Sequence, residues 1–145
     1  MQSPTTRFPF HDLAAHCTGP LLLPGEDAYD TARAVWNAMI SRHPAAILRC
    51  MSRDDVVAGV RFAADHGLAV SIKGGGHNVA RHSVGDGALM LDLSPMRGVT
   101  VDPVARTAWV EGGGHLGRGL RRNAGPWPCH TGRVDLGNRG RRADP

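Results

Sequence analysis

A chain of 145 residues, 41% hydrophobic and 5% aromatic, suffices for one domain with a modest core. No apolar run reaches membrane-span length, and the opening Met1-Gln2-Ser3-Pro4-Thr5 lacks the charged-then-apolar layout of a secretion signal, so a soluble cytoplasmic protein is expected. The formal charge of +4 suits a nucleic-acid partner only superficially, because Arg118, Arg121, Arg122, Arg133, Arg139, Arg141 and Arg142 all fall in residues 117–145 against Asp135 and Asp144, and the rest of the chain holds slightly more acid than base.

Residues 1–19 are polar and proline-bearing without a period, and are expected to form a loose N-terminal lead-in. Cys17, Cys50 and Cys129 are widely spaced and odd in number, which argues against a disulfide framework or a Cys-x-x-Cys zinc site and predicts reduced thiols. Leu21-Leu22-Leu23 then Pro24-Gly25 reads as a short apolar segment ended by a turn. From Asp27 to Arg42 the spacing of Tyr29, Ala32, Trp36, Met39 and Ile40 predicts one helical face, with Asp27 as N-cap and Pro44 as the stop. Ala46 to Cys50 is short, apolar and bounded, which predicts a strand. Residues 52–66 carry the clearest helix: Ser52 with Asp55 resembles a capping box, Val56, Val60, Ala63 and Ala64 share a face, and Gly67 suits the position past the end. Leu68 to Lys73 is the next strand. The strand–helix–strand unit is expected to bring its two strands together as a parallel pair.

The second of these strands feeds Gly74-Gly75-Gly76, and His77-Asn78 follow at once. Three residues without a Cβ let the backbone pass close to a ligand and aim N–H groups at phosphate oxygens, at the end of a parallel strand where such sheets bind ligands. Alone, the triplet is equally a tight turn. A Rossmann dinucleotide site would need a helix next, whereas Val84-Gly85-Asp86-Gly87 reads as loop. His77 and His82 lack the spacing of one helical face and a third ligand, so no metal is expected. Leu89 to Leu93 and Ala105 to Val110 are further β-type runs, separated by breaks at Pro95 and Asp102-Pro103. Asp92, Arg97 and Asp102 read as turn and loop residues, and Gly112-Gly113-Gly114 as a second glycine turn with at least as much structural as ligand-binding character. The organisation is α+β. From about residue 117 glycine, arginine and proline dominate, which reads as a disordered basic tail.

The run from Val70 to Ser83, continued by Leu91-Asp92-Leu93-Ser94-Pro95-Met96-Arg97-Gly98-Val99, Val101-Asp102-Pro103 and Ala105 to Gly114, resembles FAD-linked oxidases of the vanillyl-alcohol oxidase / p-cresol methylhydroxylase (PCMH-type) superfamily, in the berberine-bridge-enzyme-like branch. The likeness reaches back to Leu23-Pro24-Gly25 and Tyr29 and covers residues 20–117. It implies the N-terminal part of a PCMH-type FAD-binding domain, a βαβ unit followed by further strands. It implies FAD as cofactor, lined by Lys73, Gly74, Gly75, Gly76, His77, Asn78, His82 and Ser83. It also implies that His77 is joined covalently to the flavin 8α-methyl, with burial holding the imidazole neutral and nucleophilic. Arg81 stands where the family usually has glycine, and either pairs with a phosphate or obstructs a turn only glycine can make. The family's catalytic base and substrate pocket belong to a later domain, so no catalytic residue is assigned and a small-molecule substrate is expected only if such a domain completes the chain. Cys129 is not assigned as the family's second, cysteinyl attachment point.

If the codons from Gly117 are read one nucleotide later, Trp127 (TGG) before Pro128 gives Gly, and the next codons permit Leu, Ala, Thr, Pro and Gly, a run similar to the family's continuation. The tail 118–145 is therefore expected to be out of frame and the chain truncated. Two other readings stand beside the oxidase fragment: a noncatalytic basic module binding nucleic acid through the arginine tail, weakened by the lack of interleaved aromatics, and an inactive flavin-binding remnant. Sequencing the gene tests the frame, since a nucleotide run unable to encode the family motif in another frame overturns it.

Overall fold

The computed structural model describes residues 8–78, 82–102, 104–105 and 107–114. The tail from 115 onward, Arg81 and Cys129 lie outside them. Its elements in chain order are α1 Phe10–Ala15, β1 Leu21–Leu22, α2 Tyr29–Arg33, β2 Ala46–Arg49, α3 Arg53–Asp65, β3 Val70–Lys73, β4 Leu89–Asp92, β5 Val99–Asp102 and β6 Thr107–Val110. None of the described helices is long and apolar enough to cross a membrane.

α3 forms where its end signals predict. Ser52 takes an extended conformation, its hydroxyl accepts from the Asp55 N–H at 3.2 Å, and the Asp55 carboxylate accepts from the Ser52 N–H at 3.2 Å. At the other end Gly67 turns the chain out with φ +62°. The Asp55 carboxylate reaches further than a capping box requires. It also accepts from the Met51 N–H (2.8 Å), the Thr18 N–H (2.8 Å), the Thr18 hydroxyl (3.0 Å) and the Gly19 N–H (3.2 Å). The segment between α1 and β1 is thereby fastened to the start of α3.

The main sheet has the order β1-β2-β4-β3. β1 runs antiparallel to β2, while β2 and β3 each pair in parallel with β4. The two strands of the βαβ unit are parallel as expected, but they are not neighbours. β4 is buried at every position and belongs between partners, whereas β3 leaves Val70 and Ile72 exposed and suits an edge. Alternation along the strands divides the core in two. Ala46, Leu48, Leu89 and Leu91 face Phe62 and Ala63 of α3 with Phe10 and Leu13 of α1, and on the opposite face Ile47 and Met90 meet Leu22, Tyr29 and Val84. Cys17 and Cys50 are free thiols, and burial, with Asp55 secondarily, pushes the Cys50 thiol up to about 12.

Three expectations need correction. The lead-in contains α1, whose Phe10 and Leu13 share a face and are buried, with the Phe10 ring 5.6 Å from that of Phe62. The helix expected over 27–42 is only Tyr29–Arg33. Ala28, not Asp27, is its N-cap, and Ala34 is already extended (φ −61°, ψ 135°). Trp36 and Met39, read as core-facing, are exposed. The helix stops because its last groups are taken by another part of the chain: the Ala32 carbonyl by Lys73 and the Trp36 N–H by Gly76. Finally, Val99–Asp102, expected to lie in a broken connection, is a strand paired antiparallel with Thr107–Val110.

The pKa of Asp55 reflects opposing effects: burial raises it, and the hydrogen bonds from Met51, Thr18 and Ser52 bring it below the ordinary carboxylate range. A depressed folded value contributes stability that is present above the unfolded value of about 3.9 and is lost as pH falls through the folded one. Asp55→Ala is expected to cost about 2–4 kcal/mol at pH 7 in urea denaturation, because several buried N–H groups lose their acceptor. That difference should shrink as pH falls below about 4; a constant difference down to acid pH would contradict it.

Candidate functional site

Parallel register places Arg49, Asp92 and Lys73 side by side at the carboxyl ends of β2, β4 and β3. Asp92, read from sequence as a turn residue, is the last residue of β4 and 2% exposed. Its Oδ1 accepts from the Ser94 N–H at 3.0 Å, and its Oδ2 lies 3.4 Å from Arg49 Nε, an ion pair without hydrogen-bond alignment. Lys73 is half-buried, and its Nζ donates to the Ala32 carbonyl at 2.6 Å. Burial lowers the Lys73 pKa; nearby Asp92 opposes that and Arg49 adds to it. Arg97 Nε donates to the Ser94 carbonyl at 2.8 Å, and Asp102 accepts from the Val104 and Ala105 N–H groups, as loop residues do.

The glycine turn begins directly beyond this row. A Cβ on Gly74 would run into the Gly112 carbonyl, so the second glycine turn packs against the first. A Cβ on Gly75 would sit 2.6 Å from His77 Nδ1 and 2.7 Å from its Cε1, which places the imidazole back over the turn. Gly76 has φ +72°, a left-handed conformation that favours glycine. Its carbonyl accepts from the Trp36 N–H at 3.1 Å. Among the described residues, no protein acceptor pairs with the amides of Gly74, Gly75, Gly76, His77 or Asn78. A bend whose N–H groups are uncommitted, at the carboxyl edge of parallel strands, is the chemistry of a phosphate cradle. The residues therefore fit a diphosphate.

The structure brings Lys73 to Asn78 together. Gly75, His77, Asn78 and His82 are exposed, while Ser83 is buried. The burial expected for the His77 imidazole is not supplied by the described residues, among which it is exposed. Sequence reasoning missed Ala32 and Trp36, whose contributions are a backbone carbonyl and a backbone amide. It also missed the packing of Gly112 on Gly74, although the paired glycine triplets were visible.

The fold is that of part of a PCMH-type FAD-binding domain, and the FAD binding domain family matches residues 44–123. The chain belongs to that family of FAD-binding oxidoreductases, as its motifs predicted. The (R)-6-hydroxynicotine oxidase of Paenarthrobacter nicotinovorans is 34% identical over 95 residues, 66% of this chain and 21% of that protein. The crystal structure of 6-hydroxy-D-nicotine oxidase from Arthrobacter nicotinovorans superposes with a TM-score of 0.68 at 31% identity, over 73% of this chain and 23% of that one. The structure of glucooligosaccharide oxidase from Acremonium strictum, which concerns a 6-S-cysteinyl, 8α-N1-histidyl FAD, gives 0.66 at 32% identity, over 76% and 23% of the two chains. This chain thus spans less than a quarter of the length of these relatives.

Gly75→Ala should push the His77 ring off the turn. The expected result is a changed His77 ring signal in NMR with a stability loss under about 1 kcal/mol, since both residues are exposed; an unchanged ring signal would contradict the stacking.

Proposed function

We propose that the chain is the FAD-holding portion of a flavoprotein oxidase. Gly74, Gly75, Gly76, His77 and Asn78 present backbone N–H groups to the diphosphate, with Lys73 at the root of the turn and His82 and Ser83 lining the cofactor further along. The observation that carries this reading is the set of amides from Gly74 to Asn78 that have no acceptor among the described residues, at the carboxyl edge of the parallel strands. When bound, the flavin would accept hydride from a small alcohol, amine or sugar and return electrons to dioxygen. This chain's own part is to bind and orient.

His77 is proposed as the covalent attachment point at the flavin 8α carbon. Its support is the ring's position over Gly75 and the histidyl-linked FAD of the Acremonium oxidase. The substrate pocket and catalytic base are assigned to the additional length the relatives have, so turnover is not expected from these residues alone.

Protein purified with FAD is expected to keep its yellow colour through acid precipitation and to show a flavin adduct in intact mass. His77→Ala is expected to abolish the adduct while retaining dissociable FAD, since the amides remain. Wild-type protein that neither carries nor binds flavin overturns the reading.

A further inference from the structure

The two short bonds between residues 32–36 and residues 73–76 close a ring. At one corner Lys73 Nζ donates to the Ala32 carbonyl at 2.6 Å. At the other the Trp36 N–H donates to the Gly76 carbonyl at 3.1 Å. Between them the chains touch: a Cβ on Gly76 would lie 3.6 Å from both Val35 Cα and Lys73 Cε, and 3.7 Å from Trp36 N. The Trp36 indole is 76% exposed, so burial of that ring does not hold the segment in place. Ala32 and Val35 pack partly buried against the core and Arg33 bonds to Ser41 and Arg42, while the two hydrogen bonds tie the segment to the turn.

Strand alternation puts Lys73 on the sheet face it shares with Ser71, Asp92 and Arg49, with its ammonium drawn to Ala32. We propose that Lys73 is a positioning residue for the cofactor: by fastening the 32–36 segment across the glycine turn it fixes the direction of the turn's free amides, and it does not itself contact the diphosphate. The inference rests on the FAD reading for its purpose, but the strap is a property of the chain without ligand. Gly76 holds a positive φ, and the amides that follow it have no acceptor among the described residues, so the turn has few bonds of its own. Bonds to the 32–36 segment on both of its sides lower the entropy the turn would otherwise lose when a ligand binds.

The test uses the full chain and Lys73→Met, which keeps most of the aliphatic stem and removes the donor. Without ligand, amide hydrogen exchange at Trp36 is expected to become about tenfold faster, with the Leu48 and Leu91 amides unchanged; equal exchange at Trp36 overturns the strap. With FAD or ADP as probe, affinity is expected to fall about 5- to 30-fold with its salt dependence unchanged, because no phosphate-bound charge has been removed. Unchanged affinity, or a loss of salt dependence, overturns the positioning role. Trp36→Pro breaks the other corner without altering charge and is expected to weaken binding in the same direction; unaltered binding overturns the proposal even if Lys73→Met fails to fold. If the wild type binds neither FAD nor ADP, the cofactor reading and the positioning role fail together, while the exchange measurement still decides the strap.

Discussion

β4 is buried from Leu89 to Asp92, and an aliphatic run sealed on both faces has only one stable place in a sheet, between two others. That constraint separates β2 from β3 and sets the parallel register that ends in Arg49, Asp92 and Lys73. It also carries the first glycine turn to the carboxyl edge. The chain leaving β4 then returns through Leu93 and Met96, whose backbone engages Lys73 and Gly113, so the second glycine turn arrives against the first. The site therefore follows from where one hydrophobic strand must lie.

Parts of this were legible because their signals are local. Ser52, Asp55 and Gly67 mark both ends of α3 through interactions within one or two turns, and β2 and β4 announce themselves by apolar runs of strand length. Strand order was not legible, since pairing β2 with β4 across α3 and β3 is a nonlocal choice. α1 is too short for its two buried residues to establish a period. The error over 27–42 is more instructive. Tyr29, Ala32, Trp36, Met39 and Ile40 fit a helical face, yet the helix ends at Arg33, where the Ala32 carbonyl accepts from the Lys73 ammonium and the Trp36 N–H donates to the Gly76 carbonyl. The backbone groups of residues 32 and 36 that these bonds use leave no trace in the order of their side chains. The same blindness hid the acceptor of Lys73, the Ala32 carbonyl.

The surfaces flanking the site are less complete than the core beneath it. Val57 and Val60 of α3 and Val70 and Ile72 of β3 are exposed, and β3 is an edge strand. In the β5–β6 hairpin Trp109 is 80% exposed and Val104 more so. Exposed large apolar side chains, where they gather into a patch, mark an interface more often than a solvent boundary.

The charge arrangement explains why geometry should matter more here than electrostatic attraction. Asp92 sits between Arg49 and Lys73 in the register, and the Lys73 ammonium is further engaged by the Ala32 carbonyl, so neither cation is a simple free charge at the sheet edge. A diphosphate at the turn would be met by peptide dipoles, each a weak donor that must point accurately to contribute. Several such donors act together only if the turn already holds the bound shape, since ordering it afresh would cost about 1–2 kcal/mol per residue. Side-chain-free residues make the required bend possible but are also the most costly to immobilise. A cradle made of glycines consequently needs restraint from outside itself, and the bonds from residues 32 and 36 are where this chain provides it.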